Sequence, residues 1–234
     1  MEELAGGETW RVFRIMSEFV EGFEELKDIG PAISIFGSAR TRKNDWSYKC
    51  GMQVAEGLAR RGFAVISGGG PGIMEAANRG ARLGKGVSIG LNIQLPMEQK
   101  PNRYQDVSLV FRHFFVRKVM FVKYASGYVI MPGGFGTLDE FFEALTLMQT
   151  GKTRRFPVVL MGAKYWKDLH RWIERSMLGE GMISPEDMKL FHRTDDPAEA
   201  VEYIVKFHED SILPVGDRRK RSPLPVKTAK PGRS

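Results

Sequence analysis

Cysteine is almost absent from this sequence of 234 residues, in which Cys50 is the single example. One cysteine cannot form an intramolecular disulfide, which excludes a disulfide-stabilised secreted fold and suits a reducing compartment. No uninterrupted apolar run approaches the ~18 residues of a membrane span. The first residues, Met1-Glu2-Glu3-Leu4, are acidic where a signal peptide is basic. We therefore expect a cytoplasmic protein that does not enter a membrane.

Histidine is also scarce, and its four positions do not have the spacing of a metal site. With a single cysteine in the chain, no cysteine cluster can complete a zinc site. We therefore expect no metal cofactor and ordinary surface or core histidines. The four residues are His113, His170, His192 and His208.

The net charge of +7 is concentrated at one end of the chain. Between Asp217 and Ser234 there are seven basic residues, one acid and three prolines, with few apolar residues. This composition predicts a disordered basic tail over residues 217–234. Such a tail can contact RNA or DNA phosphates, but the simpler interpretation is a solvated appendage. Because the rest of the chain is nearly neutral, we do not expect the folded body to bind nucleic acid.

Helical and strand patterns alternate along the chain. Apolar residues at spacings of three and four predict a helix over residues 1–30. Short, unbroken apolar runs such as Ala32–Phe36 then alternate with helical segments, including predicted helices over 116–125 and 165–177. Parallel strands that are buried on both faces have this pattern. We predict a Rossmann-like, doubly wound α/β domain over residues 31–210, with helices on both faces of a parallel sheet.

Three glycine-containing turns each follow a predicted strand and precede a predicted helix. They have the sequences Gly-Ser-Ala-Arg at 37–40, Ser-Gly-Gly-Gly-Pro-Gly at 67–72 and Pro-Gly-Gly-Phe-Gly-Thr at 132–137. In an open parallel sheet these turns share one edge, where ligands bind. Backbone N–H groups at a helix start attract anions such as phosphate. The three turns together therefore predict a nucleotide pocket.

The standard nucleotide-binding motifs do not match. Neither of the longer glycine-rich turns has the G-x-G-x-x-G spacing of dinucleotide enzymes. Residues 80–86 are similar to a P-loop, but the spacing is one residue short and the segment follows a helix. A dinucleotide dehydrogenase and an ATPase are therefore disfavoured.

Three segments carry a resemblance to a known family. They are Ser-Gly-Gly-Gly-Pro-Gly-Ile-Met-Glu-Ala-Ala-Asn at 67–78, the pair Arg117-Lys118, and Pro-Gly-Gly-Phe-Gly-Thr-Leu-Asp-Glu at 132–140. Over residues 30–180 the chain resembles the Lonely Guy family, cytokinin riboside 5′-monophosphate phosphoribohydrolases long labelled possible lysine decarboxylases. The resemblance implies hydrolysis of the N-glycosidic bond of AMP or N6-substituted AMP, without a cofactor. No decarboxylase chemistry is implied, because no lysine has a recognisable pyridoxal-phosphate setting.

The resemblance also assigns roles to residues. It implies that Glu140 and Arg117 are catalytic. A carboxylate can stabilise an oxocarbenium-like transition state and position water, and an arginine can bind phosphate or ribose or stabilise the departing base. Backbone amides from Gly133 to Thr137 would hold the 5′-phosphate. The implied substrate-binding set is Ser38, Gly70, Glu98, Lys118, Gly133, Gly134, Gly136, Thr137 and Thr146.

Several of these residues also have a purely structural interpretation. Thr137 and Glu140 have the spacing of a capping box at a helix start. Arg117 and Lys118 fit a solvated charged pair on an amphipathic helix. Glu75 either complements a helix dipole or belongs to the active site, and the sequence leaves both open.

Phe115 departs from the pattern, because smaller plant members of the family have a histidine at this position. The chain resembles the longer bacterial branch, for which AMP hydrolysis is the expected activity. The family resemblance also implies a homodimer or a larger even-numbered assembly, with sites near the subunit interface. The alternative is a non-catalytic nucleotide or molybdenum-cofactor binding protein on the same fold. Glu140 distinguishes the two, since a binder has little need of a carboxylate beside phosphate and ribose.

Overall fold

The computed structural model describes residues 8–96 and 100–212, so the predicted tail over 217–234 lies outside the described residues. The strands are β1 (Ala32–Phe36), β2 (Ala64–Ser67), β3 (Ser88–Ile93), β4 (Val107–Phe111), β5 (Ala125–Ile130), β6 (Val158–Met161) and β7 (His192–Thr194). The α-helices are α1 (Glu8–Leu26), α2 (Trp46–Arg60), α3 (Ile73–Leu83), α4 (Phe114–Tyr124), α5 (Phe135–Gln149), α6 (Ala163–Trp172) and α7 (Pro197–Ile212).

The seven strands form one parallel sheet in the order β4-β3-β2-β1-β5-β6-β7. The chain first builds outward from β1 to β4 and then places β5 on the free side of β1. The strand order therefore reverses between β1 and β5, where Phe36 pairs with Ile130 at the carboxyl ends. The predicted Rossmann-like α/β fold is confirmed, and in open α/β sheets ligands bind in the crevice at such a reversal point.

Each face of the sheet carries its own apolar core, because successive strand side chains point to opposite faces. Ile33 and Ile35 of β1 pack with residues of α2 and α7, including Leu58. Ala32 and Phe36 of the same strand pack on the other face with residues of α4, α5 and α6. Helices thus cover both faces. Within the described part of the chain, no helix has the length and apolar character needed to cross a membrane.

Helix α1 lies against α4. At Gly22 the two helices approach so closely that a Cβ atom would lie 2.8 Å from Sδ of Met120. At the other end of the contact, the Glu18 carboxylate accepts hydrogen bonds from the backbone N–H groups of Arg112 and His113, each at 3.2 Å. Glu18 thereby satisfies amides at the start of α4.

Four features differ from the predictions stated above. The helix predicted over 1–30 already ends at Leu26, four residues before Gly30, which has φ +70°. Helix α4 begins at residue 114 instead of 116, because Glu18 supplies its cap from a distant part of the chain. The predicted helix over 165–177 consists of α6 followed by a π-helix over Ile173–Leu178. Strand β7 was not predicted, because it is a three-residue polar edge strand that pairs with β6.

Candidate functional site

A cavity of about 550 Å³ opens at the carboxyl edge of the sheet, where the strand order reverses. Its size is typical of small-molecule sites. The three glycine-containing turns meet here, and α4 closes one side. The lining includes Gly37, Ser38, Ala39, Arg40, Gly68, Met74, Arg117, Phe121, Gly134, Phe135, Gly136, Thr137 and Glu140.

Ser38 connects the three turns through its backbone. Its N–H donates to the carbonyl of Pro132 at 3.0 Å, and its carbonyl accepts from the N–H of Ile73 at 3.0 Å. Gly72 has φ +66°, a conformation that glycine adopts without strain, and a Cβ there would collide with the Ser38 carbonyl. The turns after β1, β2 and β5 are therefore held to one another by hydrogen bonds of the chain itself.

The start of α5 forms one wall of the cavity, here called its floor. The helix begins at Phe135 with Gly134 as its N-cap and has no side-chain cap. The first N–H groups of a helix lack intrahelical partners and carry the positive end of its dipole. Gly134, Phe135 and Gly136, which begin this helix, line the cavity. Thr137 lies inside the first turn and not at the N-cap, so the capping-box interpretation of Thr137 and Glu140 is wrong.

Glu140 is buried beside this floor, with 4% of its surface exposed. Its Oε2 atom has no hydrogen-bond partner among the described residues. Burial, followed by the negative charge of Glu143, raises the pKa of Glu140 to about 7, although the positive charges of Arg117 and Lys118 oppose the shift. Near neutral pH the carboxyl is therefore poised between its two protonation states.

The guanidinium carbon of Arg117 lies near two aromatic rings, 5.6 Å from the centre of the Phe114 ring and 5.4 Å from that of the Phe121 ring. Its Nη1 donates a long bond of 3.5 Å to the Leu91 carbonyl, and its Nε is buried without a partner among the described residues. Burial lowers the pKa of Arg117, against the charge of Glu140. The result is an oriented cation that still has donor capacity for a ligand.

The other sequence-predicted residues are divided between this cavity and other places. Ser38, Gly134, Gly136 and Thr137 line it. Gly133 lies one residue before the floor, where a Cβ would collide with Oγ1 of Thr137. Glu98 lies outside the described residues.

Besides Gly133, three predicted residues do not line the cavity. Lys118 pairs with Asp139 at 2.9 Å and with Glu143 at 3.4 Å. Gly70 is buried, and its carbonyl accepts a hydrogen bond from the Asn102 amide at 3.0 Å. Thr146 is exposed farther along α5, and its hydroxyl donates to the Phe142 carbonyl at 2.7 Å.

Glu75 is also absent from the cavity lining. Its carboxylate accepts a hydrogen bond from the Tyr48 hydroxyl at 3.2 Å and pairs with Lys43 at 2.7 Å. Both contacts favour a structural role on α3 over a role in the active site.

Sequence reasoning did not select Arg40 or Met74, and it included Phe135 only through its backbone amide; all three residues line the cavity. Arg40 is the last residue of the Gly-Ser-Ala-Arg turn, so the sequence could have indicated it, and it adds an exposed positive charge to the cavity lining. Phe135 is 93% exposed, at the position between the glycines of the third turn. Within the described residues, no group of histidine, cysteine, aspartate and glutamate side chains could hold a metal ion.

Several proteins are similar to this chain in sequence. The cytokinin riboside 5′-monophosphate phosphoribohydrolase LOG7 of Arabidopsis thaliana is 25% identical over 80% of this chain and 87% of its own length. The cytokinin riboside 5′-monophosphate phosphoribohydrolase of Mycobacterium tuberculosis is 28% identical over 64% of this chain and 80% of its own length. The pyrimidine/purine nucleotide 5′-monophosphate nucleosidase of Escherichia coli K12 is 28% identical over 56% of this chain, but the match spans only 31% of that enzyme.

Solved structures with the same fold include molybdenum-cofactor proteins. The molybdenum cofactor binding protein of Rippkaea orientalis superimposes with a TM-score of 0.55 at 19% identity, covering 75% of this chain and 96% of that one. The Moco carrier protein of Chlamydomonas reinhardtii gives a TM-score of 0.54 at 22% identity, covering 76% and 98%. At these identities the likeness concerns the fold alone.

A family model described as "possible lysine decarboxylase" matches residues 74–204, a segment that contains both Arg117 and Glu140. The match covers more than half of the chain, and the relatives above include the phosphoribohydrolases of the resemblance. The protein therefore belongs to this family, the Lonely Guy family, which is still described by its older label of possible lysine decarboxylase.

Proposed function

We propose that this protein hydrolyses the N-glycosidic bond of a purine nucleoside 5′-monophosphate, AMP or an N6-substituted AMP, to the free base and ribose 5-phosphate. The observation that carries the proposal is Glu140, a buried carboxyl with an unpartnered oxygen beside a helix start that suits a phosphate. The names of the related phosphoribohydrolases and nucleosidase support the same bond as the one cleaved.

The lining residues suggest a division of roles. The amides at the start of α5, from Gly134 to Gly136, bind the 5′-phosphate. Glu140 lies one helical turn farther along α5, about 6 Å of rise from Gly136, which suits the distance from a 5′-phosphate to the ribose. Arg117 contacts the phosphate, the ribose or the departing base from α4.

The reaction is a displacement by water at C1′. The C1′–N9 bond breaks and its electron pair leaves with the base, while a positive charge develops on the ribose ring. Ionised Glu140 stabilises this charge and orients the attacking water. The water oxygen bonds to C1′ and one of its protons is taken up by the carboxylate. The departing purine nitrogen takes a proton from solvent, and Glu140 later returns its proton to solvent, which restores the carboxylate.

The proposal is tested by incubating purified protein with AMP and, separately, with N6-isopentenyl-AMP, without added metal. Release of free base is followed by chromatography. Glu140→Gln should abolish base release while keeping nucleotide affinity, measured by calorimetry, within several-fold. Glu186→Gln, an exposed carboxylate outside the cavity, is the matched control and should retain full turnover.

The alternative function is a non-catalytic nucleotide or molybdenum-cofactor binder, because molybdenum-cofactor proteins share this fold. In that case the wild type would bind the nucleotide without releasing base, and Glu140→Gln would change nothing. Base release that is equal in wild type and Glu140→Gln would instead remove Glu140 from the mechanism.

A further inference from the structure

A second concave site lies on the flank of α3, away from the proposed active site. It is a cavity of about 330 Å³ between α3 and the connection that leads to β4. Its lining comprises Arg79, Arg82 and Leu83 of α3, together with Arg103 and Tyr104 of the connection. None of these five residues lines the larger cavity, and Arg79 lies about 7.5 Å along α3 beyond Met74.

The positive charges of this site converge on one ring. The guanidinium carbon of Arg103 lies 5.2 Å from the centre of the Tyr104 ring, and that of Arg79 lies 6.0 Å from it. Arg103 also donates to the Tyr104 hydroxyl at 3.2 Å. That hydrogen bond lowers the pKa of Tyr104, and the charges of Arg79 and Lys43 act in the same direction. Three cations, Arg103, Arg79 and Lys43, are thus close enough to influence one hydroxyl.

Neighbouring acids neutralise this cluster only in part. Arg82 approaches Asp106 at 3.7 Å, and both side chains are about half exposed. Lys43 pairs with Glu75 at 2.7 Å. Like charges gathered in one small concavity repel one another, and an anion bound between them relieves that repulsion.

We propose that this cluster of Arg79, Arg82 and Arg103 is a second binding site, for a small anion that carries more than one phosphate. Guanidinium groups form paired hydrogen bonds with phosphate oxygens, and three of them around one cavity match a diphosphate better than a single phosphate. The charges surround a pocket instead of following a stripe, which favours a compact anion over the backbone of a nucleic acid. This site goes beyond the proposed hydrolysis and does not depend on it.

The test is calorimetric titration of the full-length protein with inorganic pyrophosphate, in the presence of EDTA and of saturating ribose 5-phosphate to fill the larger cavity. We expect one binding event per chain. Arg79→Ala combined with Arg103→Ala should weaken it at least tenfold. Arg60→Ala combined with Arg61→Ala removes two charges at the end of neighbouring α2 and is the matched control, expected to change affinity less than twofold.

The single variant Arg103→Gln keeps the test valid if the double variant is unstable, because Arg103 is exposed and its replacement has little effect on folding. It should weaken pyrophosphate binding several-fold. Unchanged affinity in both Arg103 variants, an equal loss in the Arg60 and Arg61 control, or competition between pyrophosphate and ribose 5-phosphate would each overturn the proposal. Binding of a single-stranded RNA that depends on Arg103, without pyrophosphate binding, would overturn it in favour of a nucleic-acid surface.

Discussion

Glu140 has neighbouring charges of both signs. Removing either kind of charge should change the pKa of Glu140 and therefore the pH dependence of activity. If ionised Glu140 is the active form, kcat/KM for AMP should rise with pH and level off above an apparent pKa close to 7. Arg117→Met removes a positive charge, so the rise should move to higher pH and the plateau should fall. Glu143→Gln removes a negative charge, so the rise should move to lower pH with the plateau largely kept.

The measurement is the pH dependence of kcat/KM for the wild type and the two variants. Ionisation of the substrate phosphate near pH 6 is common to all three, so the differences between them report on Glu140. Arg171→Met removes an exposed charge on α6 and serves as the control. Shifts of the same sign in the Arg117 and Glu143 variants would contradict the electrostatic argument.

At the residue scale, the sequence motifs located the cavity but not every side chain in it. The third turn could be predicted from its place between a strand and a helix. Glu140 was selected through the family resemblance, and the structure places it in the cavity with this turn. Lys118 follows Arg117 by one residue, which is about 100° around α4, and it pairs with Asp139 and Glu143 instead. Thr146 lies six residues beyond Glu140 and faces another side of α5. Such differences depend on helix start and rotation, which the local pattern does not define.

At the scale of elements, α1 holds the helix that carries Arg117. The Glu18 carboxylate accepts hydrogen bonds from the backbone N–H groups of Arg112 and His113, where α4 begins. Its other oxygen lies 3.0 Å from Nδ1 of His113. Glu18→Ala should therefore lower the free energy of unfolding by about 1–2 kcal/mol, as for other lost helix caps. Because Arg117 lies in the first turns of α4, kcat/KM should fall as well.

Thermal unfolding and AMP hydrolysis measured side by side test this arrangement. Glu18→Gln keeps an acceptor oxygen and should recover part of both losses. Glu21→Ala, an exposed position on the same helix, should leave both quantities near the wild-type values. Loss of stability without any change in kcat/KM would mean that α1 supports the fold but not the position of Arg117.

The elements themselves were predictable to the extent that their patterns are local. β1 has the predicted bounds Ala32–Phe36, because an apolar run flanked by a Gly-Pro pair and a glycine turn leaves little choice. The predicted start of α4 was two residues too late, because the residue that binds its first amides is Glu18, almost a hundred residues earlier in the chain. β7 has no apolar run, and its strand conformation depends on pairing with β6.

At the scale of the whole molecule, apolar side chains remain uncovered along α1 and α4, which pack against each other. Phe13, Met16 and Val20 on α1, and Phe115 and Val119 on α4, are each at least 40% exposed. An apolar surface of this kind is typical of subunit contacts, and we propose a homodimer or larger even-numbered assembly through it. Val20→Glu combined with Val119→Glu should shift the mass measured by light scattering to that of one chain. An unchanged assembly would place the interface elsewhere.

The stability of the whole molecule should depend on pH through the same carboxyl that we propose for catalysis. The pKa of Glu140 is about 7 in the folded protein, above its ordinary value of 4.5. The folded state therefore holds the proton more tightly than the unfolded state, and stability should decrease as pH rises from 4.5 to 7. In Glu140→Gln the side chain cannot ionise, so this variant should not lose that stability as pH rises.

At pH 8 Glu140→Gln should exceed the wild type by on the order of 2 kcal/mol, or about 4–8 °C in Tm, whereas near pH 4.5 the two should coincide. Differential scanning calorimetry across this range measures the gap, with Glu186→Gln as the control that should follow the wild type. A difference in Tm that is the same at both pH values would mean that Gln improves packing and that the buried charge of Glu140 does not destabilise the fold. A difference in Tm that grows with pH, together with lost base release in Glu140→Gln, would give the burial of Glu140 two effects. It would destabilise the fold at neutral pH, and it would raise the carboxyl pKa into the range needed for catalysis.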